Sequence, residues 1–277
     1  MPEETITKID FSKSEQYTLS IRLSTDGFSF SIYNPILDHS INYLHYPVNA
    51  DLPIAVNVKE MLSESDVFHH TYKKVNVLLV NKRFTLIPFE LFEDEEGESF
   101  FYYNHPKQEN EVILYNILRK GNIAIAFGMD KSVYQQLDRQ YPDARFYSQA
   151  SPLIEHFAGK CRLGNSKKMY AHLSPNSLDL FCYDRGRLLL ANSFSCQQNE
   201  DRIYYLLYIW KQLGYNQERD ELHLVGIIDD KEALIQKLKT FLKQVFIINP
   251  KAEFSHPALT KIEDIPFDLQ TLLLCEL

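Results

Sequence analysis

At 277 residues, 45% apolar and with 17 Tyr and 18 Phe, the chain can bury a substantial core in one or two domains, which excludes a disordered protein. A formal charge of −8 argues against a nucleic-acid partner, which needs clustered cations; Lys167-Lys168, the one short basic pair of note, reads as a solvated strand entrance. The longest apolar runs, Ile123–Phe127 and Val245–Ile248, are far too short to cross a membrane.

In chain order, Glu3 and Glu4 stand where a secretory leader needs positive charge, so none is expected. Tyr17–Leu23 alternates apolar and polar residues, the pattern of a strand with one face buried. Ser24-Thr25-Asp26-Gly27 is a turn into a second alternating strand, Phe28–Tyr33, and Ile36–Tyr46 is a third. Asp51 is placed to cap a helix over Leu52–Leu62, and the apolar run Val75–Val80 reads as a strand covered on both faces. Then come strands Val112–Leu118 and Asn122–Met129, a helix over Asp130–Tyr141 and a strand over Ala144–Tyr147. Strands Met169–Leu173, Leu178–Tyr183 and Arg187–Phe194 follow. Asn199 then caps a helix that reaches Leu213 before Gly214, and that helix is so apolar that burial nearly all round is expected. Leu222–Ile228, a helix over Lys231–Lys243 capped by Asp230, and Val245–Ile248 complete the pattern.

Residues 23–34 and 173–184 read as one segment written twice. Leu23/Leu173, Ser24/Ser174 and Tyr33/Tyr183 are identical without a gap, and Asp26/Asn176, Gly27/Ser177, Phe28/Leu178, Phe30/Leu180 and Asn34/Asp184 are alike in kind. A hairpin recurring at so long an offset points to two duplicated lobes, 1–150 and 151–277, with about 84–150 elaborating the first. Each lobe runs strand-strand-strand-helix-strand, the order of a ribonuclease-H-like unit. The tandem pair resembles the actin-like ATPase superfamily and, within it, a bacterial family of unknown function. The fold class implied is α/β with mixed sheets, as two tandem ribonuclease-H-like lobes.

That resemblance implies a nucleotide chemistry the residues meet poorly. The superfamily carries a carboxylate at the end of each lobe's first strand to hold Mg²⁺ or water, then glycine so that backbone N–H groups can approach phosphate. Here the carboxylate positions fall near Arg22 and His172, and the glycine positions at Ser24 and Ser174. Asp26-Gly27 is what a tight turn selects by itself, and Asn176-Ser177 offers neither carboxylate nor glycine. No glycines are adjacent, and Gly226 stands alone where an adenosine-site pair is implied. The favoured reading is therefore a non-catalytic binding or scaffold module, a pseudo-ATPase with no cofactor, whose partner is another protein. The alternative is a divergent ATPase or small-molecule kinase binding Mg-ATP between the lobes through Ser24, Thr25, Asp26, Gly27, Ser174, Asn176 and Gly226.

Other chemistry finds less support. Gly159–Ser166 has P-loop spacing but Asn165 in place of the lysine, and it precedes a strand. The nine histidines and four cysteines form no zinc-site spacing; the cysteines read as buried hydrophobes of a reducing compartment, hence a cytoplasmic protein. A ribonuclease-H-type nuclease needs strand carboxylates that are missing, and Asp229-Asp230 reads as a helix start. The acidic run 93–98 reads as a surface turn or a dock for a basic partner, and Phe100–Tyr103 after it as a strand.

Overall fold

The computed structural model describes residues 9–34, 41–93, 96–162, 164–254 and 265–274. These fall into two compact units: those described within 1–117, 123–149 and 256–265, and those within 118–122, 150–255 and 266–277.

In the first unit, β1 (Thr18–Ser24), β2 (Gly27–Tyr33), β3 (Ile41–Tyr46), β4 (Lys74–Val80) and β8 (Arg145–Ser148) form a sheet of order β3-β2-β1-β4-β8. β1 is antiparallel to β2 and parallel to β4. The apolar alternation sends Leu19, Ile21, Leu23, Phe28, Phe30 and Ile32 into the core. Contrary to expectation, the other face is not solvated: Ser20, Arg22, Ser29, Ser31 and Asn76 are buried too. Asn76 Nδ2 donates to Ser20 Oγ across this polar face (3.4 Å). Period two says which residues share a face, not what covers that face.

Helices α1 (Ile54–Glu64) and α3 (Lys131–Gln140) lie side by side, with Gln136 Nε2 donating to Ala55 O. Asp51 is not the cap of α1. Pro53 holds that position, and Asn57 instead ties the preceding loop by accepting from Asn49 N and donating to Asn49 O. Asp130 does cap α3, accepting from Val133 N. β5 (Phe84–Pro88), β6 (Glu111–Leu118) and β7 (Ile123–Asp130) make a second small sheet, and β5 was not foreseen. α2 (Gly97–Asn104) packs on β5 and β7 and replaces the strand expected at 100–103. Four consecutive rings have no period of their own, so the run is equally a helix segment: Phe101 is fully buried while Tyr103 is 90% exposed.

The second unit repeats the first sheet. β9 (Lys168–Ser174), β10 (Ser177–Asp184), β11 (Arg187–Ser195), β12 (Glu221–Gly226) and β13 (Gln244–Ile247) have the order β11-β10-β9-β12-β13. The third strand of the first unit begins at Ile41; the earlier part of the expected strand, 36–40, lies outside the described residues. Both first hairpins keep one register: Leu23 opposes Phe28 as Leu173 opposes Leu178, and Ser24 opposes Gly27 as Ser174 opposes Ser177. The gapless sequence repeat is thus a structural one.

Met169, Ala171, Leu173, Leu178 and Leu180 bury one face of this sheet against Leu206 and Trp210 of α5 (Asn199–Gln212) and Leu234 and Leu238 of α6 (Lys231–Lys239). The other face is aromatic: Tyr170 stacks on Phe157 of α4 (Ala150–Lys160) at 4.3 Å, and Phe157 on Phe267 of α8 (Phe267–Leu274). A short α7 (Pro250–Glu253) completes the unit; α4, α7 and α8 carry no sequence period that announced them. α5 is not buried all round, since Tyr204 and Tyr208 are exposed, 60% and 46%. Burial along most of its length belongs to α4, whose polar Ser151 and Glu155 are buried with the rest. The cap of α5 is Gln198, not Asn199, in a reciprocal box with Asp201. The Lys167-Lys168 pair is not simply solvated: Lys167 Nζ donates to Leu213 O and Lys168 pairs with Glu221.

Candidate functional site: a cleft at the strand ends of the second unit

β9 and β12 run parallel and end side by side at Ser174 and Gly226. The C-terminal edge of parallel strands is where open α/β sheets bind ligands. There the second unit opens a cleft of about 1110 Å³, lined by the Pro175-Asn176 turn, Gln197–Glu200, Arg202 and Ile203 at the start of α5, Tyr204, the 227–230 loop and one side of α6.

Each candidate residue now has a place. Thr25 and Asp26 form the exposed turn of the first hairpin, as Pro175 and Asn176 do in the second. Ser24 is buried at the end of β1, its Oγ accepting from Asp26 N (3.3 Å). Gly27 has φ +141°, and a Cβ there would meet the His45 ring at 2.6 Å. Gly226 has φ +110°, and a Cβ there would lie 2.0 Å from Leu173 O. Its lack of a side chain therefore serves the close approach of β12 to β9, not access from the cleft. Ser174, Asn176 and Gly226 gather in the second unit and Ser24, Thr25, Asp26 and Gly27 in the first; only Asn176 among them lines the cleft.

Two arrangements lie outside the sequence reading. His172, at the strand position where the superfamily resemblance places a carboxylate, donates through Nδ1 to Asp179 Oδ2 across the β9–β10 pair at 3.0 Å, with both side chains 3% exposed. Arg22 and Ser29 are opposite each other at the corresponding place on β1 and β2. The group beneath the second turn is Arg202 of α5, whose Nη2 donates to Ser174 O (2.8 Å) and Pro175 O (2.6 Å). A cation in the first turn of a helix opposes the helix dipole, and that misfit was the signal available for Arg202. Both hairpin turns stay exposed.

Side chains from the two helix starts bond to the backbone of the 226–230 loop. Lys231 Nζ donates to Gly226 O (2.8 Å), and Asn199 Nδ2 donates to Asp230 O (3.2 Å). Asp230 stands at the N-cap of α6 in the left-handed region (φ +51°), and its carboxylate makes no capping bond, contrary to expectation. Among the described residues no group of three His, Cys, Asp or Glu side chains is placed to hold a metal ion.

The family described as "Protein of unknown function (DUF3822)" matches residues 6–245. The chain belongs to this family. A Bacteroides thetaiotaomicron protein with an actin-like ATPase fold and unknown function is 56% identical over 97% of this chain and 99% of its own, with TM-score 0.87. A chain of the PilM-PilN type IV pilus biogenesis complex, 11% identical, superposes with TM-score 0.58 over 93% of this chain and 98% of its own. The fold is thus the actin-like ATPase fold. No curated protein matches the chain.

Proposed function

We propose that this protein is a non-catalytic binding module of actin-like fold, in which the strand-end cleft of the second unit serves a protein contact in place of a Mg-nucleotide. One observation carries the reading. At the strand-end position that the resemblance assigns to a Mg²⁺-holding carboxylate stand Arg22 and His172, and the nearby carboxylate of Asp179 is spent on His172 inside the sheet. Arg202, the cation beside the second hairpin turn, is already bonded to the carbonyls of Ser174 and Pro175. The pilus-complex neighbour is a precedent for the fold in a complex with another protein. Buried free Cys161, Cys182 and Cys196 suit a reducing compartment, so the proposed location is the cytoplasm. No helix of the described residues is long and apolar enough to cross a membrane.

The rival is a divergent ATPase or small-molecule kinase, favoured by the size of the cleft and its place at the strand ends. Thermal unfolding with and without millimolar Mg-ATP, Mg-ADP and Mg-GTP separates the two. A ligand at ~100 times its Kd adds about 2.7 kcal/mol of stability. The binding-module reading expects no shift; a magnesium-dependent rise overturns it.

A further inference from the structure

The charges around the second-unit cleft are distributed unevenly. Glu200, Asp229 and Asp230 line it, and none of the three side chains has a hydrogen bond or ion pair among the described residues. Helix capping does not use them: the box on α5 takes Asp201, and Asp230 caps nothing. No cation nearby is paired with them among the described residues. Arg202 is buried under the turn, Lys231 is held by Gly226 O, and the exposed Lys237 ammonium lies 5.9 Å from the Phe241 ring.

Part of the wall between these carboxylates is apolar. Ile227 is 58% exposed, and Tyr204 projects beside Ile203 and Ala233. Tyr208 continues the surface one helical turn on, its ring stacked on Tyr204 (5.8 Å between centroids, 15° between planes). Exposed tyrosine faces attract guanidinium and ammonium groups.

A ligand that fills this cleft expels water from three unpaired carboxylates. It must bring cations to meet them, because a desolvated carboxylate left without a partner is strongly unfavourable. A polyphosphate brings the wrong sign. A neutral apolar segment matches the apolar part of the wall and strands the charges. Only a segment carrying both kinds of side chain satisfies the two demands together.

We propose that the cleft takes a cationic protein segment, in which Arg or Lys side chains alternate with apolar ones. The proposal deepens the binding-module reading and rests on it. The basic groups meet Glu200, Asp229 and Asp230 and stack on Tyr204, while the apolar groups cover Ile203, Ile227 and Ala233.

The test uses the full chain and a fluorescein-labelled ten-residue peptide in which Arg alternates with Leu, read by anisotropy, beside counterparts with Glu or Ser in place of Arg. The Arg-Leu peptide should bind saturably and the other two should not. The triple variant Glu200→Lys, Asp229→Lys, Asp230→Lys should weaken it at least tenfold. The triple variant Glu93→Lys, Glu96→Lys, Glu98→Lys makes the same change in net charge in the first unit and should leave affinity within about twofold. Equal loss in both variants, saturable binding of the Glu-Leu peptide, or no binding of the Arg-Leu peptide overturns the proposal. A nucleotide-induced thermal shift would overturn the binding-module reading itself. A flat nucleotide response with no peptide binding would remove only the cationic segment.

Discussion

The role of Gly226 can be decided by replacing it with alanine. A nucleotide role for this glycine predicts lost ligand affinity with intact stability; the structure predicts the reverse. The new Cβ would sit 2.0 Å from Leu173 O and 2.8 Å from Leu173 N, both backbone atoms of the neighbouring strand. No rotamer change relieves that contact, so β12 must move off β9 by roughly an ångström, which breaks ladder hydrogen bonds at the buried end of the pair. An alanine held at φ +110° adds backbone strain. Unmet buried groups at ~1–3 kcal/mol each, with ~1–2 kcal/mol of strain, give a loss of about 4–6 kcal/mol. Gly27→Ala is the internal control, because its Cβ meets only the ring of His45, which can swing aside, so a loss of about 1–2 kcal/mol is expected. Urea unfolding followed by circular dichroism reads both variants, with the midpoint reporting stability where the slope is unchanged. A Gly226→Ala protein within 1 kcal/mol of wild type would refute the packing argument and return the glycine to the cleft.

Three further outcomes follow from particular contacts. Phe101→Ala should cost about 3–5 kcal/mol by opening a cavity under α2, whereas Tyr103→Ser should stay within about 0.5 kcal/mol; similar losses at the two sites in denaturant titrations would contradict the helix. Glu253 is held at about 2 by the hydrogen bond from His156 and by Lys160. Because its folded value lies below the unfolded one, its contribution is full above about pH 4.5 and fades as pH falls toward 2. The stability gap between wild type and Glu253→Gln, about 1–2 kcal/mol after allowing for solvent screening, should therefore narrow as pH falls from 5 toward 2, and a gap constant with pH would refute the pairing. Burial pushes the Cys182 thiol up to about 12, so a thiol reagent should label it in the native protein no faster than the protein unfolds, even at pH 9; prompt native labelling would show the strand to be open.

The repeat at 23–34 and 173–184 was legible because both copies solve one local problem. Each needs two strands of alternating polarity and a two-residue turn, and those demands act on adjacent residues. The two five-stranded sheets follow from the order of such segments, since three hairpin-linked strands and then helix-linked ones leave few topologies open. The misreadings are as local in origin. Phe100–Tyr103 has no period to separate strand from helix, and Asp51, Asn199 and Asp230 lost their capping roles to neighbours or to backbone conformation.

What the amino-acid sequence determined by itself was the set of segments, their duplication and the residue types at the two turns. Those depend on side-chain period and on residue type at a turn. Only the tertiary structure decided that Ser20, Ser29 and Ser31 lie buried rather than wet, that His172 is bound to Asp179, and that Gly226 is held by Leu173. It also decided that Arg202 ties down a turn 27 residues before it, and that Glu200, Asp229 and Asp230 stand at the cleft without an ion pair among the described residues. Such pairings arise because packing joins residues far apart along the chain, and the energy of a charge depends on the neighbours and water that folding leaves beside it.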